Sequence, residues 1–203
     1  MNRLIIIGAS GHGKVVADIA RLNGYKDIVF LDDDESKKEC AGYPVVGKTY
    51  DAPDGDVFVA IGNNEIRSKI TRLYFDRNQP VLIHPRAVIA EDTRIGFGTV
   101  VMAGAVINPG TTIGYGCIIN TCCSVDHDCF VGDYVHLSVG SHICGTVLIG
   151  AKTWIGAGAA IINNVSICDN CIIGAGAVVI RSLDSSGTYM GVPAHLKSGD
   201  RNE

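Results

Sequence analysis

Residues 107–137 read INPGTTIGYGCIINTCCSVDHDCFVGDYVHL, with an aliphatic residue at every sixth position. The pattern continues on both sides without an insertion or an exception. It comprises seventeen aliphatic residues: Ile83, Ile89, Ile95, Val101, Ile107, Ile113, Ile119, Val125, Val131, Leu137, Ile143, Ile149, Ile155, Ile161, Ile167, Ile173 and Val179. Strict self-similarity at six residues is the signature of a hexapeptide β-helix. If three hexads form one triangular coil, as in known left-handed hexapeptide folds, about five to six coils are expected.

The aliphatic residues of this series should point into the coil, and a second column that points inward beside them contains half of the eight cysteines. The residue two positions before each aliphatic residue is always small or β-branched, and side chains two apart on a strand share a face. This column contains Cys117, Cys123, Cys129 and Cys171, which we interpret as small core residues with reduced thiols. The remaining close spacing, Cys168 to Cys171, is a single C-x-x-C and a weak metal signal.

Composition narrows the class of protein. Hydrophobic residues make up 47% of the 203 residues and charged residues 19%, which favours a compact protein over a disordered one. A net charge of -4 argues against nucleic-acid binding by bulk electrostatics. No apolar run approaches the roughly 20 residues that span a bilayer, and the start of the chain does not have the form of a signal peptide. We therefore expect a cytoplasmic protein without membrane insertion.

The chain divides into two parts and a tail. Residues 1–80 alternate strands with helices, which indicates a small Rossmann-like α/β domain. The expected strands and helices are Arg3–Ile7, a helix ending at Arg21, Ile28–Leu31, Val57–Ile61 and Glu65–Arg77. Residues 81–182 form the β-helix, so the fold class is mainly β. Residues 183–203 are expected to cap one open end of the coil, and the α/β domain the other.

Polar segments follow the strands of the α/β domain, where ligands bind in such sheets. Residues 8–13 read Gly-Ala-Ser-Gly-His-Gly, which is not the G-x-G-x-x-G dinucleotide fingerprint. Glycines before a helix still permit close approach of a phosphate to free N–H groups, although an ordinary strand-to-helix turn fits equally well. Asp32–Asp34 could accept a hydrogen bond from a base or ribose, or form a solvated acidic loop.

Three histidines of the coil, His127, His136 and His142, are candidates for a functional role. His127 lies between Asp126 and Asp128, outside the inward columns, and an imidazole beside a carboxylate suits general-base catalysis. A surface histidine in a polar corner is the alternative. His136 and His142 precede aliphatic positions six residues apart, so they point outward on successive faces. This spacing speaks against a zinc site of the hexapeptide carbonic anhydrase type, which needs three convergent histidines.

Several segments together resemble the PglD-type nucleotide-sugar N-acetyltransferases of bacillosamine biosynthesis and, more broadly, the NeuD-like sugar acyltransferases. The resemblance spans nearly the whole chain. It is carried by residues 8–13 and by Phe30-Leu31-Asp32-Asp33, Ala60-Ile61-Gly62-Asn63-Asn64-Glu65-Ile66-Arg67, Ser124-Val125-Asp126-His127-Asp128, His136-Leu137-Ser138-Val139-Gly140 and Gly191-Val192-Pro193-Ala194.

The resemblance implies a homotrimer that holds acetyl-CoA between adjacent β-helices and requires no metal. His127 matches the family's general base, and Asp128 stands where the bacillosamine enzymes typically carry Glu. His136 matches an acetyl-CoA contact, Gly145 a backbone N–H near the thioester carbonyl, and Ala157 and Ala175 backbone contacts to pantetheine. The implied UDP-sugar pocket comprises Ser10, Gly11, His12, Asp32, Asp33, Gly62 and Asn63, with Asp32 and Asp33 reading the uracil.

The resulting hypothesis is direct acetyl transfer to the 4-amino group of a UDP-4-amino-4,6-dideoxy-sugar. His127 acts as base, and a backbone N–H, that of Gly145, stabilises the oxyanion. Two alternatives stay open: sugar O-acetylation of the sialic-acid type, and a non-catalytic nucleotide-sugar-binding scaffold.

Overall fold

The computed structural model describes residues 3–197 and begins with an α/β unit. Its elements are β1 (Leu4–Ile7), α1 (Gly11–Leu22), β2 (Ile28–Leu31), β3 (Glu39–Cys40), β4 (Tyr43–Gly47), β5 (Asp56–Val59) and α2 (Asn64–Leu73). The sheet order is β3-β4-β2-β1-β5, and every pairing except the antiparallel β3–β4 is parallel. The β3–β4 hairpin was not predicted. Ala41 and Gly42 turn it with φ values of 53° and 80°.

The three central strands of this sheet are buried on both faces. All residues of β1, β2 and β5 are buried, because one layer packs on each side. Leu4, Ile6 and Phe30 pack with Val16 and other residues of α1. Alternate residues such as Ile5 and Leu31 pack in a separate cluster on the opposite side. Continuous apolar runs of this kind are typical of parallel sheets with both faces covered.

The second part is a coil of seventeen two-residue strands, which confirms the predicted parallel β-helix. In chain order they are β6 (Leu82–Ile83), β7 (Val88–Ile89), β8 (Arg94–Ile95), β9 (Val100–Val101), β10 (Val106–Ile107), β11 (Thr112–Ile113), β12 (Ile118–Ile119), β13 (Ser124–Val125), β14 (Phe130–Val131), β15 (His136–Leu137), β16 (His142–Ile143), β17 (Leu148–Ile149), β18 (Trp154–Ile155), β19 (Ala160–Ile161), β20 (Ser166–Ile167), β21 (Ile172–Ile173) and β22 (Val178–Val179).

Each strand pairs in parallel with the strand one coil away, and this pairing defines three faces. Ile118 pairs with His136, so one coil is 18 residues. The first face contains β6, β9, β12, β15, β18 and β21, the second β7, β10, β13, β16, β19 and β22, and the third β8, β11, β14, β17 and β20. Because the chain visits the faces in this order, the corner between the second and third faces lies opposite the first face.

The inward columns form the core, as the sequence predicted. From Val101 to Val179 the aliphatic residues at six-residue spacing are at most 3% exposed, while Ile83, Ile89 and Ile95 at the start of the coil are half-buried. Several threonines of the second column, Thr99, Thr111 and Thr153, donate to neighbouring backbone carbonyls. Thr111 Oγ1, for example, donates to the Asp126 carbonyl and accepts from Cys129 N–H, which satisfies polar groups inside the corner.

The cysteines of that column are core residues with free thiols. Cys117, Cys123, Cys129 and Cys171 are at most 2% exposed, and all eight cysteines are free. Burial raises the pKa of Cys117 and of Cys123 to about 12, so these thiols stay protonated at neutral pH.

The α/β unit covers a flank of the coil, whereas we expected it to cover an end. Leu82, Val100 and Ile118 point outward from the first face and are buried in the same cluster as Leu4 and Phe30. This outward apolar stripe is the physical reason for the difference, because its burial is favourable. The unit also contacts the first strand of the coil, where Asn23, which follows α1, bonds to both the N–H and the carbonyl of Ile83.

Residues 180–197 lie against the other end of the coil, and the rest of the predicted capping tail, residues 198–203, lies outside the described residues. β23 (Thr188–Met190) pairs in parallel with β21, and β24 (His195–Leu196) pairs antiparallel with β23. Leu183, Tyr189 and Ala194 complete the coil core and are each at most 8% exposed. Neither of the two helices within residues 3–197 is long and apolar enough to cross a membrane.

Candidate functional site

His127 lies in the corner between the second and third faces, where β13 ends and the chain turns toward β14. Its Nδ1 lies 2.9 Å from Asp128 Oδ2, and both side chains are exposed. Asp128 adopts a φ of 56°, a turn conformation that Asp tolerates better than most residues. An ionised carboxylate can only accept, so Nδ1 carries the proton in the neutral imidazole and Nε2 has a free lone pair. This is the tautomer that a general base requires.

Two glycines make room for this pair. A Cβ on Gly145 would lie 2.6 Å from His127 Nε2, and a Cβ on Gly110 would lie 2.5 Å from Asp128 Oδ1. The imidazole therefore rests on the backbone of the coil that follows it, and the carboxylate on the coil that precedes it. The Gly145 N–H has no hydrogen-bond acceptor among residues 3–197 and is free to bind an oxyanion.

A second carboxylate acts on His127 from the other side. Asp126 Oδ1 accepts from the His127 backbone N–H at 2.9 Å and from Asn108 Nδ2 at 2.8 Å. The hydrogen bond to Asp128 and, next in size, the charge of Asp126 raise the pKa of His127. The hydrogen bond from Asn108 lowers the pKa of Asp126 and keeps it ionised. The pair thus makes His127 a stronger base than an isolated imidazole.

A cavity of about 320 Å³ in the α/β unit adjoins a second one of 270 Å³ at the carboxyl ends of its strands. The smaller cavity is lined by four of the residues expected to hold a nucleotide-sugar, Ser10, Asp32, Asp33 and Gly62. Two other expected residues, Gly11 and His12, begin α1. Asn63 instead caps α2, with its Oδ1 accepting from Ile66 N–H at 2.9 Å, and lines a separate cavity beside Trp154.

The two aspartates expected to read a uracil differ in their availability. Asp32 accepts from Ala9 N–H, Asp34 N–H and Lys37 Nζ, so both of its oxygens are engaged. Burial acts to raise the pKa of Asp32, but these hydrogen bonds lower it overall. Asp33 uses only Oδ1, which accepts from Thr49 N–H at 2.9 Å. Asp33 is therefore the freer of the two to accept from a ligand.

His136 lies beneath the α/β unit on the first face and not at an open surface. Its ring stacks on Trp154, with centroids 5.6 Å apart, and its Nε2 lies 3.2 Å from Asn120 Nδ2. Burial lowers the pKa of His136 to about 3, followed in size by the positive charge of Arg67 and a smaller effect of His12. Burial and then Arg67 likewise lower the pKa of His12 to about 4. Both imidazoles are neutral at physiological pH.

Ala157 and Ala175 stack one coil apart at the corner between the first and second faces, where Gly176 N–H donates to the Ala157 carbonyl at 2.8 Å. The structure thus brings His127, Asp128 and Gly145 together at one corner. It brings His12 and His136 together beneath the α/β unit, and it leaves the two alanines at a third place. Within residues 3–197, no group of three or more His, Cys, Asp or Glu side chains is arranged to hold a metal ion.

Comparison with known proteins agrees with both halves of the structure. Residues 3–73 match the PglD N-terminal domain family, and residues 146–181 match the bacterial transferase hexapeptide family. The acetyltransferase domain of PglB from Neisseria gonorrhoeae FA1090, solved with acetyl coenzyme A, is 40% identical with a TM-score of 0.93; the match covers 96% of this chain and 98% of that one. The chain belongs to the PglD-type hexapeptide sugar N-acetyltransferases.

Two further relatives are associated with different nucleotides, GDP in one bound ligand and UDP in the other protein's name. A perosamine N-acetyltransferase variant from Caulobacter crescentus, solved with CoA and GDP-perosamine, is 38% identical with a TM-score of 0.92 over 96% of each chain. UDP-N-acetylbacillosamine N-acetyltransferase of Bacillus subtilis (strain 168) is 36% identical over 113 residues. That alignment spans about half of each protein, 51% of this chain and 52% of the relative.

Four residues around the candidate site were missed in the sequence. Asn108 and Gly110 lie 18 residues before Asp126 and Asp128, so the coil period alone places each beside its partner. Arg67 and Trp154 gave no comparable signal, because their contacts depend on where the α/β unit sits against the coil.

Proposed function

We propose that this protein transfers the acetyl group of acetyl-CoA to the 4-amino group of a nucleotide-linked 4-amino-4,6-dideoxy-sugar, with a UDP-sugar as the expected substrate. The observation that carries the proposal is the His127–Asp128 pair over Gly145, in which an unprotonated Nε2 lies beside a free backbone N–H. Membership in a family whose named relatives are sugar N-acetyltransferases supports the same reaction class.

The amine nitrogen attacks the thioester carbonyl carbon and forms the new C–N bond. His127 Nε2 accepts the amine proton, and the carbonyl electrons move to an oxyanion that the Gly145 N–H can stabilise. The C–S bond then breaks as the carbonyl reforms, and CoA leaves as a thiolate that takes a proton from the imidazolium. Asp128 accepts a hydrogen bond from His127 Nδ1–H throughout, and the buried thiols of the core column take no part.

The arrangement of the site supports a homotrimer in which adjacent subunits share each site. The corner that carries His127 lies opposite the first face, while the α/β unit packs on the first face. One chain therefore cannot bring its own nucleotide pocket to its own base. A neighbouring copy can, and its His136, Ala157 and Ala175 would then lie toward the acetyl-CoA.

The decisive experiment measures CoA thiol release from acetyl-CoA with a panel of sugar nucleotides. We expect turnover with UDP-4-amino-sugars, and GDP-linked 4-amino-sugars form a second arm because a GDP-perosamine complex is closely similar. His127→Ala should lower kcat by about 10²- to 10⁴-fold without disrupting the assembly. Near-normal turnover in that variant would refute the assignment of the base.

The same panel distinguishes the alternatives. Release with 4-hydroxy-sugars but not 4-amino-sugars would indicate O-acetylation, which the named relatives do not favour. Nucleotide-sugar binding without any thiol release would indicate a scaffold.

Mixed assemblies test whether the sites are shared. Chains carrying His127→Ala and chains carrying Asp33→Ala are each expected to have low activity. When the two chains are co-assembled in equal amounts, about one quarter of all sites should be intact. Each site takes its base from one chain and its pocket from another, so about half of the bases and about half of the pockets are unaltered. No recovery in a mixture shown to contain both chains would mean that each site lies within one chain.

A further inference from the structure

Arg67 is the largest fully buried side chain described and has no role in the chemistry above. It is 1% exposed, and all of its N–H groups donate at 2.7–3.0 Å: Nε to the Gly116 carbonyl, Nη1 to the carbonyls of Ile61 and Gly62, and Nη2 to Asn64 Oδ1 and the Tyr134 carbonyl. Burial lowers its pKa to about 10, so it remains charged at neutral pH. A buried charge is normally costly unless it is fully hydrogen-bonded.

The acceptors of Arg67 belong to two different parts of the molecule. The Ile61 and Gly62 carbonyls lie in the segment after β5 that lines the 270 Å³ cavity. The Gly116 and Tyr134 carbonyls lie in successive coils of the β-helix. One planar guanidinium therefore fixes the position of the segment Ile61–Asn63, called the cavity segment below, relative to the coil. A lysine ammonium cannot reproduce this geometry.

Asn64 extends the same connection to a third coil. Its Oδ1 accepts from Arg67 Nη2, while its Nδ2 donates to the carbonyls of Lys152 and Thr153 at 2.9 and 3.2 Å. A second and exposed contact lies nearby, the ion pair between Lys152 Nζ and Glu65 Oε2 at 2.7 Å. This ion pair also joins α2 to the coil but does not touch the cavity segment.

The charge of Arg67 also acts on two buried imidazoles, those of His12 and His136. His12 Nε2 and His136 Nδ1 are buried without a partner in normal hydrogen-bond geometry, although the Gly62 backbone lies close enough to raise the pKa of His136 slightly. Arg67 acts on both imidazoles and favours their neutral forms. Arg67 bonds to the Ile61 and Gly62 carbonyls, whose residues line the 270 Å³ cavity, so its positive charge favours an anionic ligand in that cavity.

We propose that Arg67 is a positioning residue of the nucleotide site, whose guanidinium sets the Ile61–Asn63 segment on the coil in the form that binds the nucleotide diphosphate. This rests on the proposed function only in the identity of the ligand. UDP and GDP binding can be measured without any acetyl transfer, so a failure of the reaction and a failure of this proposal are distinguishable.

The test measures UDP and GDP binding by calorimetry to the full-length wild type, Arg67→Ala and Lys152→Met. Arg67→Ala should weaken binding of the accepted nucleotide at least about tenfold. The substitution removes the charge-assisted hydrogen bonds that hold the Ile61–Asn63 segment in its binding form. Lys152→Met should bind within about twofold of wild type, because exposed ion pairs contribute little. With the 4-amino-sugar nucleotide, KM should rise more than kcat falls.

Chemical rescue separates positioning from general loosening of the structure. Low millimolar guanidinium chloride should improve nucleotide binding by Arg67→Ala, and the same ionic strength of sodium chloride should not. Unchanged binding in a folded Arg67→Ala protein, an equal loss in Lys152→Met, or no improvement with guanidinium would overturn the proposal. If Arg67→Ala does not fold, Asn64→Ala takes its place and should weaken binding several-fold, and unchanged binding in that variant would overturn the proposal.

Discussion

Replacing Gly145 by Ala should impair catalysis while leaving the fold intact. The new Cβ would lie 2.6 Å from His127 Nε2, and ordinary contact begins at 3.4 Å, so the imidazole must move by about 0.8 Å. The backbone itself tolerates Ala, since Gly145 is not among the residues with positive φ. A displacement near 1 Å in a reacting group costs about 10²-fold in rate, so we expect kcat to fall by about two orders of magnitude.

The movement also threatens the 2.9 Å contact between His127 Nδ1 and Asp128 Oδ2. His127 is exposed, so its ring can shift at little cost to folding, and the melting temperature should stay close to that of wild type. Ala retains the backbone N–H, so the oxyanion donor is preserved. The measurements are steady-state thiol release with acetyl-CoA and a 4-amino-sugar nucleotide, and thermal unfolding of the same preparation.

A double variant shows whether the effect passes through His127. If Gly145→Ala acts only by displacing the imidazole, adding it to His127→Ala should cost nothing more, a non-additivity expected of residues in contact. Wild-type kcat in Gly145→Ala would refute the geometric reasoning. A further loss in the double variant would show that Gly145 acts in some other way.

Three further predictions concern the same corner and the core. The acidic limb of the pH profile of kcat/KM should lie above the ordinary imidazole pKa of about 6.5, because the hydrogen bond to Asp128 raises the pKa of His127. Asp128→Asn should move this limb to lower pH, and an unmoved limb would contradict the assignment. Asn108→Ala removes the hydrogen bond from Asn108 to Asp126 and should change kcat/KM less than Asp128→Asn does, which the same pH profiles of kcat/KM would measure. Val131→Asp buries an unpaired carboxylate at a fully buried position and should lower the free energy of unfolding by about 4 kcal/mol or more, whereas exposed Ser166→Asp should have little effect in the same denaturation assay.

The local elements of the α/β unit were predicted less completely than the coil. β1, β2 and β5 were identified from their apolar runs, and α1 and α2 from their helical patterns, with bounds that differ by a few residues. The β3–β4 hairpin was missed because Ala41 at positive φ gives no turn signal of the kind that Asn-Gly provides.

The sequence by itself determined the coil, its core columns and the position of His127 outside them. Side-chain direction along a strand alternates, and stacking repeats every coil, so a six-residue period fixes which side chains are inside without knowledge of any distant contact. The same arithmetic extends to Asn108 beside Asp126 and Gly145 beneath His127, since each pair is separated by one 18-residue coil.

Only the tertiary structure decided where the α/β unit sits and what its residues touch. Val100 and Ile118 look like any other outward β-strand residues until the unit buries them, and Arg67 looks like a surface residue of α2 until its five bonds are seen. These contacts join the α/β unit to the β-helix, and the two parts share no sequence repeat. The contacts therefore depend on how the two surfaces fit and bury each other, which no local sequence pattern encodes.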